Sequence, residues 1–205
     1  MKQWLKVLAG LCCLVSVAQA EMVAPDALIK STSDEVISII KQDKDIQSGN
    51  QQKIVALIDA KLLPHFNFQR MTQLAVGRSW RTATPAQKET LIAEFHNLLV
   101  RTYAKAFSSY RDQRVEVKPT KTTDADDEVT VKTNIVKPNG SVLAVNYELQ
   151  KTKDGWKVFD LSIEGAGLVP TYRSSFASEI EKGGLDGLIK VLQDKNATAT
   201  KGYPK

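Results

Sequence analysis

The stretch EVTVKTNIVKPNGSVLAVNYELQ, residues 128–150, decides how this chain folds. Val129, Val131, Thr133 and Ile135 alternate with Glu128, Thr130, Lys132 and Asn134. Leu143, Val145, Tyr147 and Leu149 alternate with Ala144, Asn146 and Glu148. A period of two sends the first set to one side of a strand and the second set to the other. Between the two runs stands Pro138-Asn139-Gly140, and Asn-Gly is the strongest short hairpin signal. The stretch is therefore an antiparallel hairpin with one apolar and one mostly polar face.

The same period extends in both directions. Upstream, Val115 and Val117 alternate with charged residues. Downstream, Asp154-Gly155 makes a second tight turn, and Phe159, Leu161 and Ile163 alternate with Val158, Asp160 and Ser162. Gly165 and Gly167 end this strand in a bend. The sum is a meander of about four strands.

Before the meander the period is helical. Leu28, Ile29, Thr32, Val36, Ile39 and Ile40 recur at spacings of three and four after Pro25, and Gly49 closes that segment. A second helix carries Ile54, Val55, Leu57, Ile58 and Leu62 up to Pro64. Asn67 is placed to cap a third, with Met71, Leu74 and Val76 before Gly77. Thr84-Pro85-Ala86-Gln87 combines an N-cap, a proline at the first helical position and a side chain able to reach back. The helix it opens runs to about Ser109, with Leu91, Ile92, Phe95, Leu98, Leu99, Thr102, Tyr103 and Phe107 as its stripe. After the strands, Tyr172, Phe176 and Ile180 share a helix face, Gly183-Gly184 interrupts it, and Leu185, Leu188, Ile189 and Leu192 continue. Helices packed on one face of a curved antiparallel sheet make an α+β layer. Such an arrangement leaves an apolar interior; the pattern does not say whether it is filled or hollow.

Composition bounds the function. The chain has 205 residues, 28 basic and 23 acidic, for a net charge of +5. Residues 1–20 read as a secretion signal: Lys2 and Lys6, an apolar run from Val7 to Val17, and Ala18-Gln19-Ala20 as the cleavage pattern, cut after Ala20. Without Lys2 and Lys6 the charge falls to +3, too weak a footprint for a nucleic-acid binder. Both cysteines, Cys12 and Cys13, lie in this segment, and neither follows a small residue as an acylated cysteine would. The mature chain is expected to be a soluble protein of a Gram-negative periplasm, without disulfide or thiol ligand. Residues 21–195 form one domain, and 196–205 a small, polar, flexible tail.

Catalytic constellations are sparse. His65 and His96 stand far apart in sequence, with no HExxH pattern and no cysteine to join them. There is no nucleophile elbow and no phosphate-cradling glycine loop. Asp160 and Glu164 share the polar face of the last strand as solvated carboxylates. No catalytic residue, metal or cofactor is assigned. Arg70, Arg78, Trp80 and Arg81 gather before Thr84. A cation–aromatic cluster of this kind suits an anionic head group or a partner protein.

Several ordered motifs resemble a known family. They are PHFNFQRM (64–71), GRSWRTATPAQ (77–87), Arg101-Thr102-Tyr103, GWKVFD (155–160), Glu164-Gly165 and Tyr172-Arg173-Ser174-Ser175-Phe176. Over about Pro25 to Leu192 the chain resembles the MlaC family, the toluene-tolerance auxiliary transport proteins. The serine usual after the Glu-Gly pair is Gly167 here, a departure expected to alter loop flexibility. The resemblance implies a nuclear-transport-factor-like cone, with sheet and helices enclosing an apolar pocket for phospholipid acyl chains. It implies a periplasmic carrier between an inner-membrane ABC-type Mla transporter complex and an outer-membrane lipoprotein–porin complex, maintaining outer-membrane lipid asymmetry. Phospholipid is then cargo rather than cofactor, and a monomer is expected.

On this reading the sheet contributes Val131, Ile135, Val145, Tyr147, Leu149, Phe159 and Ile163 to the lining. The helices contribute Met71, Leu74, Phe95, Leu99, Tyr103, Tyr172 and Phe176, with Trp80 beside them. Arg70, Arg78 and Arg81 are the partner-docking candidates. Two other readings stay open at this level. One is a cone-fold enzyme of isomerase or dehydratase type, which would need titratable residues facing inward. The other is a periplasmic adaptor with a filled core.

Overall fold

The computed structural model describes residues 22–110, 112–123 and 125–201. The secretion signal and the last four residues lie outside the described residues. Among the described residues, six α-helices and five strands stand in the order helices, strands, helix that the periodicities predict. Helices α1 (Pro25–Gln42), α2 (Lys44–Gln47), α3 (Gln51–Leu57), α4 (Phe68–Val76) and α5 (Pro85–Ser108) come first. Strands β1 (Arg114–Val117), β2 (Glu128–Val136), β3 (Val142–Thr152), β4 (Gly155–Ile163) and β5 (Ala166–Gly167) follow, and α6 (Leu168–Lys201) ends the chain.

Local chemistry sets the boundaries. Pro25 occupies the first turn of α1, where its missing N–H is not needed. The Asp43 carboxylate accepts the amides of Asp45 at 2.8 Å and Ile46 at 3.2 Å, so the first helical segment stops at Gln42 and a new one starts. The Asn67 side chain accepts the Arg70 amide at 2.9 Å and opens α4. At α5 the reciprocal box is complete. Gln87 N–H donates to the Thr84 hydroxyl at 3.2 Å, and Thr84 N–H donates to the Gln87 side chain at 3.0 Å. Between α3 and α4 the chain widens into a π-turn, Ile58–Leu62, and then tightens through Pro64.

The strands form one antiparallel sheet in the order β1-β2-β3-β4-β5. Three details differ from the sequence expectation. The bend at Gly165 is a two-residue hairpin turn. Glu164 and Gly165 both have positive φ (50° and 83°), and Ile163 pairs with Ala166, which adds the short fifth strand. A bulge interrupts β4: Glu148 pairs with Asp160 but Leu149 pairs with Val158, leaving Phe159 as the extra residue. Val158 therefore shares a face with Leu161 and Ile163, and strict alternation through Phe159 does not hold. The third detail is the C-terminus. The tail expected from Asn196 is helical through Lys201, and the Asn196 amide donates to the Glu94 carboxylate at 2.6 Å and to its carbonyl at 3.0 Å. Buried bonds of this kind hold a helix end that polar composition alone would leave free. Gly184 (φ 67°, ψ −166°) breaks α6 where the glycine pair predicts it.

Three packed clusters hold the fold. Met71, Phe95, Phe159, Phe176, Leu188 and Leu192 join α4, α5, β4 and both halves of α6. Val36, Ile40, Ile54, Leu57 and Val100 join the N-terminal helices to the other side of α5. Ile29, Val131, Leu149, Trp156 and Val158 seat α1 on the sheet. Consecutive residues Val158 and Phe159 enter different clusters, which the bulge permits. Among the described residues no helix is long and apolar enough to cross a membrane.

Candidate functional site

The register places the apolar sheet face residue by residue. Val131 lies opposite Tyr147, and Tyr147 opposite Leu161. Thr133 lies opposite Val145, and Val145 opposite Ile163; Ile135 faces Leu143. Directly opposed residues share a face, so these eight form one continuous surface. Its two ends differ. Val131 and Leu149 have no exposed surface, sealed under α1. Ile135, Leu143 and Ile163, toward the Asn139-Gly140 turn, stay half-buried. Leu143 and Leu161, absent from the expected lining, belong to this face. Their alternation is visible in the sequence, but the bulge that sets the phase of β4 is not. The one buried polar side chain here is silenced: the Thr133 hydroxyl donates to the Val145 carbonyl at 2.8 Å.

The helices bring aromatic rings to the same region. Phe95 packs edge-on against Tyr172 (5.0 Å between centroids) and Phe176 (5.1 Å), and those two rings stand 5.7 Å apart. Leu161 packs against this cluster together with Leu74, Tyr103 and Tyr172, joining the sheet face to α4, α5 and α6. Met71, Trp80, Leu99 and Phe159 are buried inside the cluster. The expected lining residues thus separate into a buried set and a half-buried set, Leu74, Tyr103, Ile135, Tyr147, Ile163 and Tyr172.

The three tyrosines are electrostatically distinctive. Burial pushes the Tyr147 phenol up from its ordinary pKa. Burial raises Tyr103, with neighbouring Tyr172 adding to it. Burial raises Tyr172 as well, against a lowering hydrogen bond with Thr102. All three stay neutral at physiological pH. Tyr147 is half-buried, like Leu143 and Ile163 on the same face. Two hollows, of about 490 and 520 Å³, lie by the N-terminal helices and are lined by polar and charged residues such as Asp43, Lys53, Lys41 and Asp112. Neither adjoins the sheet face.

The basic residues divide. Arg70, expected to meet a partner, is committed within the chain. Its guanidinium lies 3.7 Å from the Phe159 ring centroid, pairs with Glu128 at 2.5 Å and donates to Gln150. Stacking against an aromatic face and a carboxylate together outcompetes solvent for this group. Arg78 and Arg81 are exposed on the turn Gly77–Arg81 that follows α4. Lys88 stands 5.5 Å over the buried Trp80 ring, and the exposed Arg173 lies against Gly77. All four cations lie on this turn or against one of its residues.

The expected carboxylates are structural. Asp160 Oδ1 accepts the Val169 amide at 2.9 Å and the Leu161 amide at 2.8 Å, so it caps the start of α6 from the neighbouring strand. Burial nonetheless holds its pKa above the ordinary value. Glu164 accepts the Ala144 amide at 2.7 Å. His96 sets its ring edge-on to Phe68, 4.9 Å between centroids, and its Nε2 is 3.8 Å from Asp59. Among the described residues no three His, Cys, Asp or Glu side chains gather as a metal set.

The comparisons with known proteins agree with this geometry. The MlaC protein family profile matches residues 30–194. The chain belongs to the MlaC family. It is 21% identical over 198 residues to the intermembrane phospholipid transport system binding protein MlaC of Haemophilus influenzae, covering 94% of this chain and 92% of that protein. It is 24% identical over 163 residues to the toluene tolerance protein ttg2D of Pseudomonas putida, covering 79% and 75%. Among solved structures, a phospholipid-binding protein from Ralstonia solanacearum, in complex with a phospholipid, superposes with a TM-score of 0.81. It is 40% identical, over 85% of this chain and 98% of that one. Gly167, where the MlaC serine is expected, has a packing reason: an added Cβ would stand 3.0 Å from Cγ and Cδ of Pro170.

Proposed function

We propose that this protein is a periplasmic phospholipid carrier. The observation that carries the reading is the 40% identical fold match to a phospholipid-bound protein, together with a half-buried apolar face of matching character. Two acyl chains with ~30 buried CH₂ groups at ~0.8 kcal/mol each need on the order of 20 kcal/mol of shelter from water. Only a continuous apolar surface supplies it. Ile135, Leu143, Val145, Tyr147, Leu161 and Ile163 are the sheet side of that surface. Leu74, Tyr103 and Tyr172 are the helix side. Fully buried Met71, Phe95, Val131 and Leu149 support it from behind.

Apolar contact is non-directional, so the site tolerates different chain lengths and degrees of unsaturation. Transfer is movement between pockets and needs no bond-making residue. The carrier exchanges lipid with an inner-membrane ABC-type Mla complex and an outer-membrane lipoprotein–porin complex. Arg78, Arg81, Lys88 and Arg173 form the docking face for an acidic partner surface. It works as a monomer, after removal of residues 1–20.

Mass spectrometry of an organic extract of the purified protein is the test. Stoichiometric phospholipid is the expected result. Protein that carries none, and takes none up from vesicles, is not a carrier.

A further inference from the structure

Of the seven asparagines in the chain, only Asn139 precedes a glycine. It sits at the tip of the β2–β3 hairpin. Gly140 N–H donates to the Lys137 carbonyl at 2.9 Å, and Lys137 N–H donates to the Ser141 carbonyl at 2.9 Å. With Gly140 at φ 83°, this is a type I turn closed by a glycine bulge. Residues 137–142 are all exposed, and an added Cβ at Gly140 would meet nothing within 4 Å. The peptide bond after Asn139 therefore lies open to water and hydroxide. The Asn139 carboxamide is also held in place. Its Oδ1 accepts the Ser141 amide at 3.0 Å and the Ser141 hydroxyl at 2.8 Å. Two donors on one carbonyl oxygen make its carbon a better target and stabilise negative charge on the oxygen. Asn50 and Asn67 are held at Oδ1 too, by the Lys53 and Arg70 amides. There, however, the next residue is Gln51 or Phe68, with its backbone fixed in the first turn of a helix.

We infer that Asn139 is a site of spontaneous deamidation, which turns it into aspartate or the β-linked isomer, isoaspartate. The only co-reactant is water. Hydroxide takes the proton of the Gly140 backbone nitrogen, which then attacks Cγ of Asn139. The N–Cγ bond forms, the Cγ–Nδ2 bond breaks, and Nδ2 takes a proton from water and leaves as ammonia, regenerating hydroxide. Water then opens the cyclic imide at either carbonyl. Opening at Cγ restores the ordinary backbone and leaves a side-chain carboxylate. Opening at the backbone carbonyl routes the chain through the former side chain. Nothing is oxidised or reduced. Glycine suits the attack, since no Cβ crowds its nitrogen and its backbone is free to swing. The exposed Gly140–Lys137 hydrogen bond must open first, and water replaces it at little net cost. The β-linked product lengthens the backbone inside the turn by one methylene. The pairing of Lys137 with Ser141 then loses its register, beside the half-buried pair Ile135 and Leu143. Deamidation here is independent of what the protein carries.

The test is controlled ageing of the purified mature protein in warm buffer at about pH 7 and about pH 9, since hydroxide drives the first step. A synthetic peptide of residues 134–144 ages beside it as a clock. Ion exchange separates the product, which carries one more negative charge. Peptide mapping by mass locates the amide turned into an acid, and an isoaspartyl methyltransferase labels the β-linked form. Conversion is expected at position 139 at least about tenfold faster than at any other asparagine, and faster at the higher pH. Asn139→Gln, whose longer side chain must close a larger ring, is expected to give no acidic product over the same time. Ser141→Ala removes the hydroxyl donor and is expected to slow conversion a few-fold. Hydrogen exchange at Val136 and Val142 should be faster in the acidic fraction than in fresh protein. An amide that stays intact at position 139 after the peptide has converted overturns the inference. Equal conversion at the other asparagines overturns it too, and an unchanged rate in Ser141→Ala overturns the part assigned to Ser141.

Discussion

The carboxylate of Asp160, beside the β4 bulge, accepts the backbone amide of Val169, 2.9 Å away in the first turn of α6. A strand side chain thereby fixes where the last helix starts. Three backbone amides favour its charged form, and burial outweighs them, so its pKa is raised when folded. The native state then holds the proton more tightly than the unfolded chain. Stability attributable to this group is greatest below its unfolded pKa and falls as pH rises toward the raised folded value. Asp160→Asn keeps an acceptor oxygen and removes the titration. Thermal melts of the two proteins from pH 3.5 to 7 should show wild type losing ground to Asp160→Asn over the lower part of that range, then a constant difference. Asp160→Ala, which removes the acceptor, should cost about 1 kcal/mol at neutral pH.

Gly183 and Gly184 make a sharper contrast. Neither has any atom within 4 Å of an added Cβ, so packing demands glycine at neither. Only Gly184 sits at positive φ, 67° with ψ −166°. Gly184→Ala should destabilise by about 1–3 kcal/mol, while Gly183→Ala should be neutral or stabilise by up to about 1 kcal/mol. Chemical denaturation of the two variants checks this, and equal effects would mean that the break is not set by backbone conformation.

Tyr147→Glu places a carboxylate in the middle of the apolar sheet face, between Val131 and Leu161. Desolvating that charge opposes any apolar occupant. Lipid recovered from folded Tyr147→Glu protein should drop at least tenfold. Unchanged occupancy in protein that melts normally would remove this part of β3 from the lining.

Arg70 and the Arg78–Arg81 pair should respond in opposite ways. Arg70→Ala loses a stacked, ion-paired guanidinium and should cost about 1–2 kcal/mol of stability. Arg78→Glu with Arg81→Glu changes exposed charge and should leave stability within about 0.5 kcal/mol. If these residues dock a partner, the double reversal should slow lipid transfer to reconstituted partner complexes about tenfold, mostly through association rate. Transfer at the wild-type rate would assign docking elsewhere.

Much of this fold is legible in the chain. The Asn139-Gly140 hairpin, the Thr84–Gln87 box, the Asn67 cap and the break at Gly184 each rest on interactions within a few residues, which sequence encodes directly. What escapes is long-range. The β4 bulge leaves the alternation of Phe159, Leu161 and Ile163 intact on paper and shifts its phase only against β3. Arg70 looks like its neighbours Arg78 and Arg81 until Glu128 and Phe159 are brought beside it. The tail from Asn196 reads as polar and loose, yet Glu94, a hundred residues upstream, holds it. The apolar positions of the candidate site are visible as a stripe. The division into half-buried and fully buried members depends on how far α1, α4, α5 and α6 extend over the sheet, which no local pattern records.

The bulge has a consequence for how the sheet finds its alignment. A plain strand can slide along its neighbour and meet an error only as a wrong face. Here, sliding β4 by one residue would push Phe159 into the space shaped for Val158 under α1, and would leave the α4–α6 cluster without its ring. Both errors would arise at once, on two independently packed bodies. The pair Val158–Phe159 acts as a key cut for two locks, and it admits one alignment of strand and helices.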